Sequence, residues 1–470
     1  MLSQHRGVVP LAIFIVILFS FIFLQSQPGK KHHVLTKTNG DKHAPENGLS
    51  LPPIYQEKPA QSMYCEERFG VQYLQNLSES AASYCDAPST STLTCFDTVI
   101  DPKKRVDAFC VGGPVTIDKA QKKFQLNCET NDANTRLLRA LPKYWYQTGP
   151  SYILKNNIEF SPGQSVSRRR ASSEPKKYGI LVKREASNYN LWHSIMEVLS
   201  VHMTLDVLRM SKNPATNEPF FSPDFRENVQ VIILDDFLDG PIFDLWSLYA
   251  STPPIRVSEI TDKQLDNVIV PLPGGSNPFW QGDWHQTSCQ HSELLRVFSQ
   301  RVFDFYDIVP ISNSDREKSL NLTFIDRRNK RKLVNQDLYI ERLKSELPHV
   351  NIKVVDFAKL TFKEQLRIVQ STDILIGVHG AGLTHEMFLQ PGSTVVEILP
   401  PNIHHKGFRN LANQMGHRYF STHGTQIIPS SEHSNWQEED VFIEEERFAE
   451  LVQVAVASMY HRGSLDLDVN

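Results

Sequence analysis

At 470 residues the chain is longer than one typical domain, so two or three folded units are expected. Apolar residues make up 40% and charged residues 22%, ordinary proportions for a globular protein. A formal net charge of -4 excludes a nucleic-acid partner held by a basic face.

Residues 8–24 carry no charge. As a helix rising about 1.5 Å per residue they would extend roughly 25 Å, which suits a thin, early-secretory bilayer. The stretch exceeds the apolar core of a cleaved signal peptide, and Gln25-Ser26-Gln27-Pro28 offers no small-x-small cleavage site. It therefore reads as a transmembrane signal-anchor behind a cytosolic tail, 1–7. Residues 25–59 are polar and lack an apolar period, as expected of a flexible stem. Asn76-Leu77-Ser78 and Asn321-Leu322-Thr323 are N-glycosylation sequons, meaningful only in a lumen. Five of the six cysteines crowd between Cys65 and Cys128, within a cysteine-containing segment spanning 60–160. This predicts disulfides made in an oxidising compartment, and without a CxxC pair it argues against zinc. Anchor, sequons and cysteines together predict a single-pass type II membrane protein with a lumenal body. The loop 161–177, with Arg168-Arg169-Arg170, reads as solvated surface.

Beyond it the pattern changes to buried strands alternating with helices. Strands are predicted at 179–183 and 229–234, with helices at 190–210 and 292–306. Further on come strand 322–325, helix 336–347, strand 352–355, helix 361–370, strand 374–378 and strand 394–398. Continuously apolar strands between amphipathic helices mean a mostly parallel sheet covered on both faces. The α/β reading is two Rossmann-like domains, 178–310 and 311–470, facing a cleft at the carboxyl ends of their strands.

Chemistry concentrates at those strand ends. Strand 374–378 runs into His379-Gly380-Ala381-Gly382-Leu383-Thr384 and a predicted helix, so that glycine backbone and free N–H groups converge on one place, as a diphosphate requires. Neither a Walker loop nor a GxGxxG fingerprint is present. After strand 322–325 comes a basic loop containing Arg327, Arg331 and Lys332, whose forks suit phosphate oxygens. Glu397, in the strand after the glycine turn, is placed to accept from ribose hydroxyls. In the other domain His193 and Glu197 are four apart on one helix face, the makings of a carboxylate-supported general base. Asp236, after strand 229–234, is the reserve candidate. Asp235-Asp236 lacks DxD spacing, and two carboxylates are too few to fix a divalent ion, so no metal site is predicted.

These residues carry a resemblance. Gln365-Leu366-Arg367, Thr372-Asp373-Ile374, the 377–385 turn and Val395-Val396-Glu397 look like glycosyltransferase family 61. Within it the chain is most similar to the EGF-domain-specific O-linked N-acetylglucosaminyltransferases. The likeness extends to Asn190-x-x-His193-x-x-x-Glu197, to Cys289-Gln290 and to Arg327-x-x-x-Arg331-Lys332, and more weakly to Arg68-Phe69-Gly70. It implies a GT-B fold and inversion at the anomeric carbon. It further implies a UDP-sugar co-substrate on the C-terminal domain, held by Arg327, Arg331, Lys332, the segment His379 to Thr384 and Glu397. His193 and Glu197 fall on the acceptor side, with no tightly bound cofactor. UDP-N-acetylglucosamine is the first expected donor, and a protein hydroxyl or glycan the acceptor. A UDP-xylose-dependent glycan transferase and a non-catalytic lectin on the same scaffold are the alternatives. The residue at Glu197 is aspartate in the N-acetylglucosaminyltransferases, and the ending Leu467-Asp468-Val469-Asn470 departs from their retention signal. A Golgi membrane is thereby expected ahead of the endoplasmic reticulum.

Overall fold

The structure is a computed structural model that describes residues 51–55, 61–99, 106–143, 147–161, 175–186, 189–310, 319–429, 435–460 and 466–468. The tail, the anchor and nearly all of the stem lie outside the described residues, as does the triple-arginine loop. Among the described residues no helix is long and apolar enough to cross a membrane.

Two large sheets organise the described residues, which form one compact unit. The first runs, edge to edge, 82–83, 92–99, 106–113, 267–270, 178–182, 229–233, 255–256. Its last four strands are parallel, while 106–113 joins antiparallel to 267–270. Strands of the cysteine-bearing segment thus extend the same sheet as 178–182. Cys95 faces Cys110 directly across strands 92–99 and 106–113 and is bonded to it; Cys85 pairs with Cys128, and Cys65 with Cys289. No cysteine is left free, so the body folds in an oxidising compartment.

The second sheet is wholly parallel, in the order 350–355, 320–325, 374–378, 394–399, 418–423, 466–468. Its side chains alternate between two cores. Ile325, Leu375, Val395 and Tyr419 face one, and Phe324, Ile374, Ile376, Val396 and Phe420 the other. Double-sided burial is why these strands read as unbroken apolar runs. The first core is shared with the other sheet and is filled by the helix Leu191–Met210. That helix is buried nearly all round, 17 of its 20 residues, so it runs through the interior and shows no surface face. Asn190 caps it, its side chain accepting from the N–H groups of Trp192 and His193. The predicted strands and helices are present with ends moved by two residues or fewer. The helix expected after the glycine turn is a 3₁₀ helix, Ala381–Phe388.

Strand 320–325 lies between 350–355 and 374–378, so the chain leaves it in one direction and continues the sheet in the other. Connections diverge at such a switch point and leave a crevice beyond the strand ends. Strand 178–182 has the same relation to 229–233 and 267–270.

Candidate functional site

At the second sheet's switch point the loop after 320–325 meets the turn after 374–378. Arg331 Nη1 donates to the His379 carbonyl at 3.1 Å, and Arg327 Nε donates to the Lys330 carbonyl at 3.1 Å. The contact depends on Gly380, whose φ of +145° disfavours any side chain. A Cβ there would stand 2.7 Å from Nη1 of both Arg327 and Arg331. Two half-buried guanidiniums therefore close over one glycine. Neither has a carboxylate partner among the described residues, and Arg331 Nε is buried without a hydrogen bond. Burial pushes the Arg327 pKa down; burial and then the neighbouring Arg327 charge push Arg331 down to about 10. Arg331 itself adopts φ 54°, an uncommon left-handed backbone for a non-glycine residue. Like charges pressed together, with no carboxylate partner among the described residues, could hold an anion.

His379 stands beside them, its Nδ1 2.5 Å from Glu397 Oε1. Glu397 is fully buried and also accepts from the Tyr419 hydroxyl. It lies behind the imidazole, where it orients His379, and not in the position of a ribose acceptor. Burial lowers the His379 pKa more than Glu397 raises it, which keeps the ring neutral. Gly380, Ala381 and Gly382 line open space, whereas Leu383 and Thr384 are wholly buried in the 3₁₀ helix. Lys332 pairs with Asp440 at 3.1 Å and takes no part in the cleft wall.

Across the cleft, His193 sits in the first turn of Leu191–Met210. Its carboxylate partner is Glu185, with Nδ1 to Oε2 at 2.6 Å, and not Glu197. Helical spacing does put Glu197 on the same side, but its Oε1 accepts the Glu185 backbone N–H at 2.8 Å. Glu197 thus holds the segment that holds His193, one step removed from the cleft. Burial, then the Glu185 charge, raises the Glu197 pKa well above the carboxylate range. Asp235 is taken up by buried Arg184, Nη2 to Oδ1 at 2.8 Å. Asp236 is exposed, pairs with Lys122 at 2.8 Å and does not line the cleft, because the strand's last side chains alternate between interior and surface. The sequon residues Asn76 and Asn321 lie within the helix Val71–Glu79 and the strand Leu320–Ile325, both half-buried.

His193, Arg327, Arg331, His379 and Gly380 all border a single cleft of about 590 Å³. A neighbouring cleft of about 890 Å³ is walled by Asp356, Phe357, Ala358 and Lys359 at the end of strand 350–355. The two share Tyr189, Arg327, Lys330 and Ala381. Sequence reasoning missed Glu185 and the aromatic lining, Trp280, Trp284 and Phe408 among it. Position just past the end of strand 178–182 was the one available signal for Glu185. Among the described residues no group of three or more His, Cys, Asp or Glu could hold a metal ion.

Residues 191–396 match the family model described as Glycosyltransferase 61. That span includes His193, Arg327, Arg331 and His379 of the cleft lining, while Phe408 and Trp436 lie beyond it. Among curated proteins the chain is similar to the EGF domain-specific O-linked N-acetylglucosamine transferase of Drosophila melanogaster. The two are 28% identical over 247 residues, 50% of this chain and 43% of the relative. The Mus musculus protein of the same name is 28% identical over 218 residues, 44% of this chain and 38% of the relative. The one from Gallus gallus is 36% identical over 115 residues, 24% and 21% of the two chains. The chain therefore spans well under two thirds of the length of the relatives it matches.

Proposed function

We propose, from the match of residues 191–396 to the Glycosyltransferase 61 model, that the protein transfers a sugar from a UDP-sugar to a hydroxyl group in the secretory pathway. One observation carries this reading. Two guanidiniums, closed over Gly380 and without carboxylate partners among the described residues, share a cleft with a histidine backed by a buried carboxylate. A leaving nucleoside diphosphate needs the first, and an attacking hydroxyl needs the second.

In this reading the diphosphate lies against Arg327 and Arg331, on the wall common to the two clefts. The nucleoside extends towards Asp356–Lys359, and the sugar faces His193. His193 donates Nδ1–H to Glu185, so Nε2 is the acceptor nitrogen and takes the proton of the acceptor hydroxyl. The hydroxyl oxygen bonds to the anomeric carbon from the face opposite the diphosphate. The carbon–oxygen bond to phosphate breaks, and its electron pair leaves with UDP beside the arginines. Configuration inverts in one such displacement. Two sheets with parallel strand ends towards a common cleft support a GT-B arrangement, and N-acetylglucosamine is the first donor to try, given the relatives' names. The paired cysteines support a lumenal body, which in this reading is carried on a type II anchor at 8–24 in a Golgi or endoplasmic-reticulum membrane.

The test is thermal unfolding of the full chain with UDP, UDP-N-acetylglucosamine, UDP-xylose and ADP. A donor at 100 times its Kd stabilises by about 2.7 kcal/mol, a shift that is readily measured. Uridine ligands should raise Tm and ADP should not. No shift with any uridine ligand, together with no release of UDP from either sugar nucleotide, would overturn the proposal.

A further inference from the structure

A continuous band of rings joins the two histidines across the cleft. Four of the chain's six tryptophans, Trp192, Trp280, Trp284 and Trp436, line this one cleft, a concentration that core packing does not call for. Ring contacts run without a break from one histidine to the other and on to the rim. His193 lies 4.3 Å from Trp280, which is 6.5 Å from Trp192, which is 5.8 Å from Phe408. Phe408 is 5.5 Å from His379, which is 4.7 Å from His405, which is 5.1 Å from Trp284. Trp192, Trp280 and Phe408 are nearly buried, so the floor of the band is rigid. Trp284 is 53% exposed and ends the band at the cleft mouth.

An indole left half in water has a reason to be there when it is flanked by groups that no apolar ligand would want. Asp283, next to Trp284, is held at Oδ2 by His405 Nε2 at 3.2 Å, which fixes the carboxylate beside the ring. A flat apolar face with a fixed hydroxyl acceptor at its edge matches one ligand chemistry closely. A pyranose carries axial C–H bonds on its faces and hydroxyls around its rim. Stacking satisfies the faces, and the carboxylate takes a rim hydroxyl. A bare serine or threonine side chain offers neither a ring face nor a second hydroxyl, and would leave the outer band unused.

We infer that the acceptor is itself a saccharide, stacked on the aromatic band at Trp284 with a hydroxyl on Asp283, so that the chain extends a glycan. This rests on the transferase reading above. The acceptor sugar's reacting hydroxyl gives its proton to His193 Nε2 and its oxygen bonds to the anomeric carbon of the donor. The donor's bond to diphosphate breaks, and UDP leaves with that electron pair.

The experiment uses the full chain and two readouts. In the first, tryptophan fluorescence is titrated with free oligosaccharides ending in N-acetylglucosamine, mannose or galactose, without donor. At least one should change the emission, with its Kd raised about tenfold or more in Trp284→Ala and largely restored in Trp284→Tyr. In the second, transfer from the active UDP-sugar is compared between that oligosaccharide and an unglycosylated EGF-like domain. The saccharide should be the substrate, with Trp284→Ala raising its KM far more than it lowers kcat. Transfer to the unglycosylated domain alone, undiminished in Trp284→Ala, overturns this inference while leaving the transferase reading intact. Saccharide binding that ignores Trp284 overturns it as well. Failure of every uridine ligand to bind strikes at the transferase reading instead.

Discussion

Gly380 is the most exposed point of the donor-site argument, and Gly380→Ala tests it with one methyl group. The new Cβ would stand 2.7 Å from Arg327 Nη1 and from Arg331 Nη1, well inside contact distance. A φ of +145° lies in a region essentially reserved for glycine, at a cost of about 1–3 kcal/mol for any other residue. The neighbours that must yield are tips of flexible side chains, so the fold should survive and the guanidiniums should move. Charge-assisted hydrogen bonds contribute about 1.5–3 kcal/mol each, and misplacing one fork should therefore weaken UDP binding roughly tenfold to a hundredfold. Isothermal titration with UDP reads the affinity, and a melting curve of the same sample reads the fold. Expected is a Tm lower by a few degrees with a large loss of UDP affinity. A lowered Tm with unchanged UDP affinity would refute the reasoning, because the arginines would have moved without the ligand noticing.

Transfer should fall by about 10²–10⁴-fold in His193→Ala with UDP affinity retained, and by less in Glu185→Gln, which still holds the ring. Asp236→Asn should stay near wild type, being exposed and paired with Lys122; the reverse order of effects would remove His193 from the chemistry. The pH dependence of Tm should be a dome with its top near 6.5, the ordinary histidine value. On the acid side four buried histidines must take protons that the unfolded chain binds readily. Burial holds His202 down to about 3, and His385 and His417 to about 4, and it lowers His379. Their folded pKa values are depressed, so the stability they contribute is complete above 6.5 and is lost as the pH falls. His385 and His417 each forfeit on the order of 2 kcal/mol by about pH 5. On the alkaline side burial raises the pKa of Glu197 and Glu386, whose contribution is complete below the usual carboxylate range and shrinks as the pH rises. A Tm still climbing from pH 6.5 to 8 would contradict this assignment.

What could be read from the sequence was what local chemistry decides. Ile374 to Val378 had to be a buried strand, since nothing in it could face water, and Gly380 marked a point where another group closes on the backbone. Arg327 and Arg331 were found because they follow a strand end. Glu185 was out of reach because nothing local links it to His193. The seven residues between them follow no periodicity, and the i,i+4 rule pointed to Glu197 instead. Asp236 failed as a cleft residue for a similar reason, since which of two adjacent aspartates turns inward depends on the register of the strand before it. The joining of 106–113 to 267–270 was equally invisible. It pairs residues more than 150 positions apart, and antiparallel addition to a parallel sheet leaves no mark in either strand.

The two histidines are built alike, and electrostatics tells them apart. Each imidazole has Nδ1 on a buried carboxylate, Glu185 or Glu397, and so presents Nε2 as an acceptor. A base must be able to keep the proton it takes. His379 is poorly placed for that, because burial, His405 and Arg331 all oppose a positive charge on its ring. Protonating it would set a third cation beside the two guanidiniums, at the moment when a diphosphate needs those charges undivided. His193 stands on the opposite wall, outside the arginine cluster, with Glu185 on its Nδ1. In the proposed transfer the proton therefore goes to His193. His379 serves best as a neutral acceptor that positions a donor hydroxyl, and the separation of the two walls keeps proton uptake apart from phosphate departure.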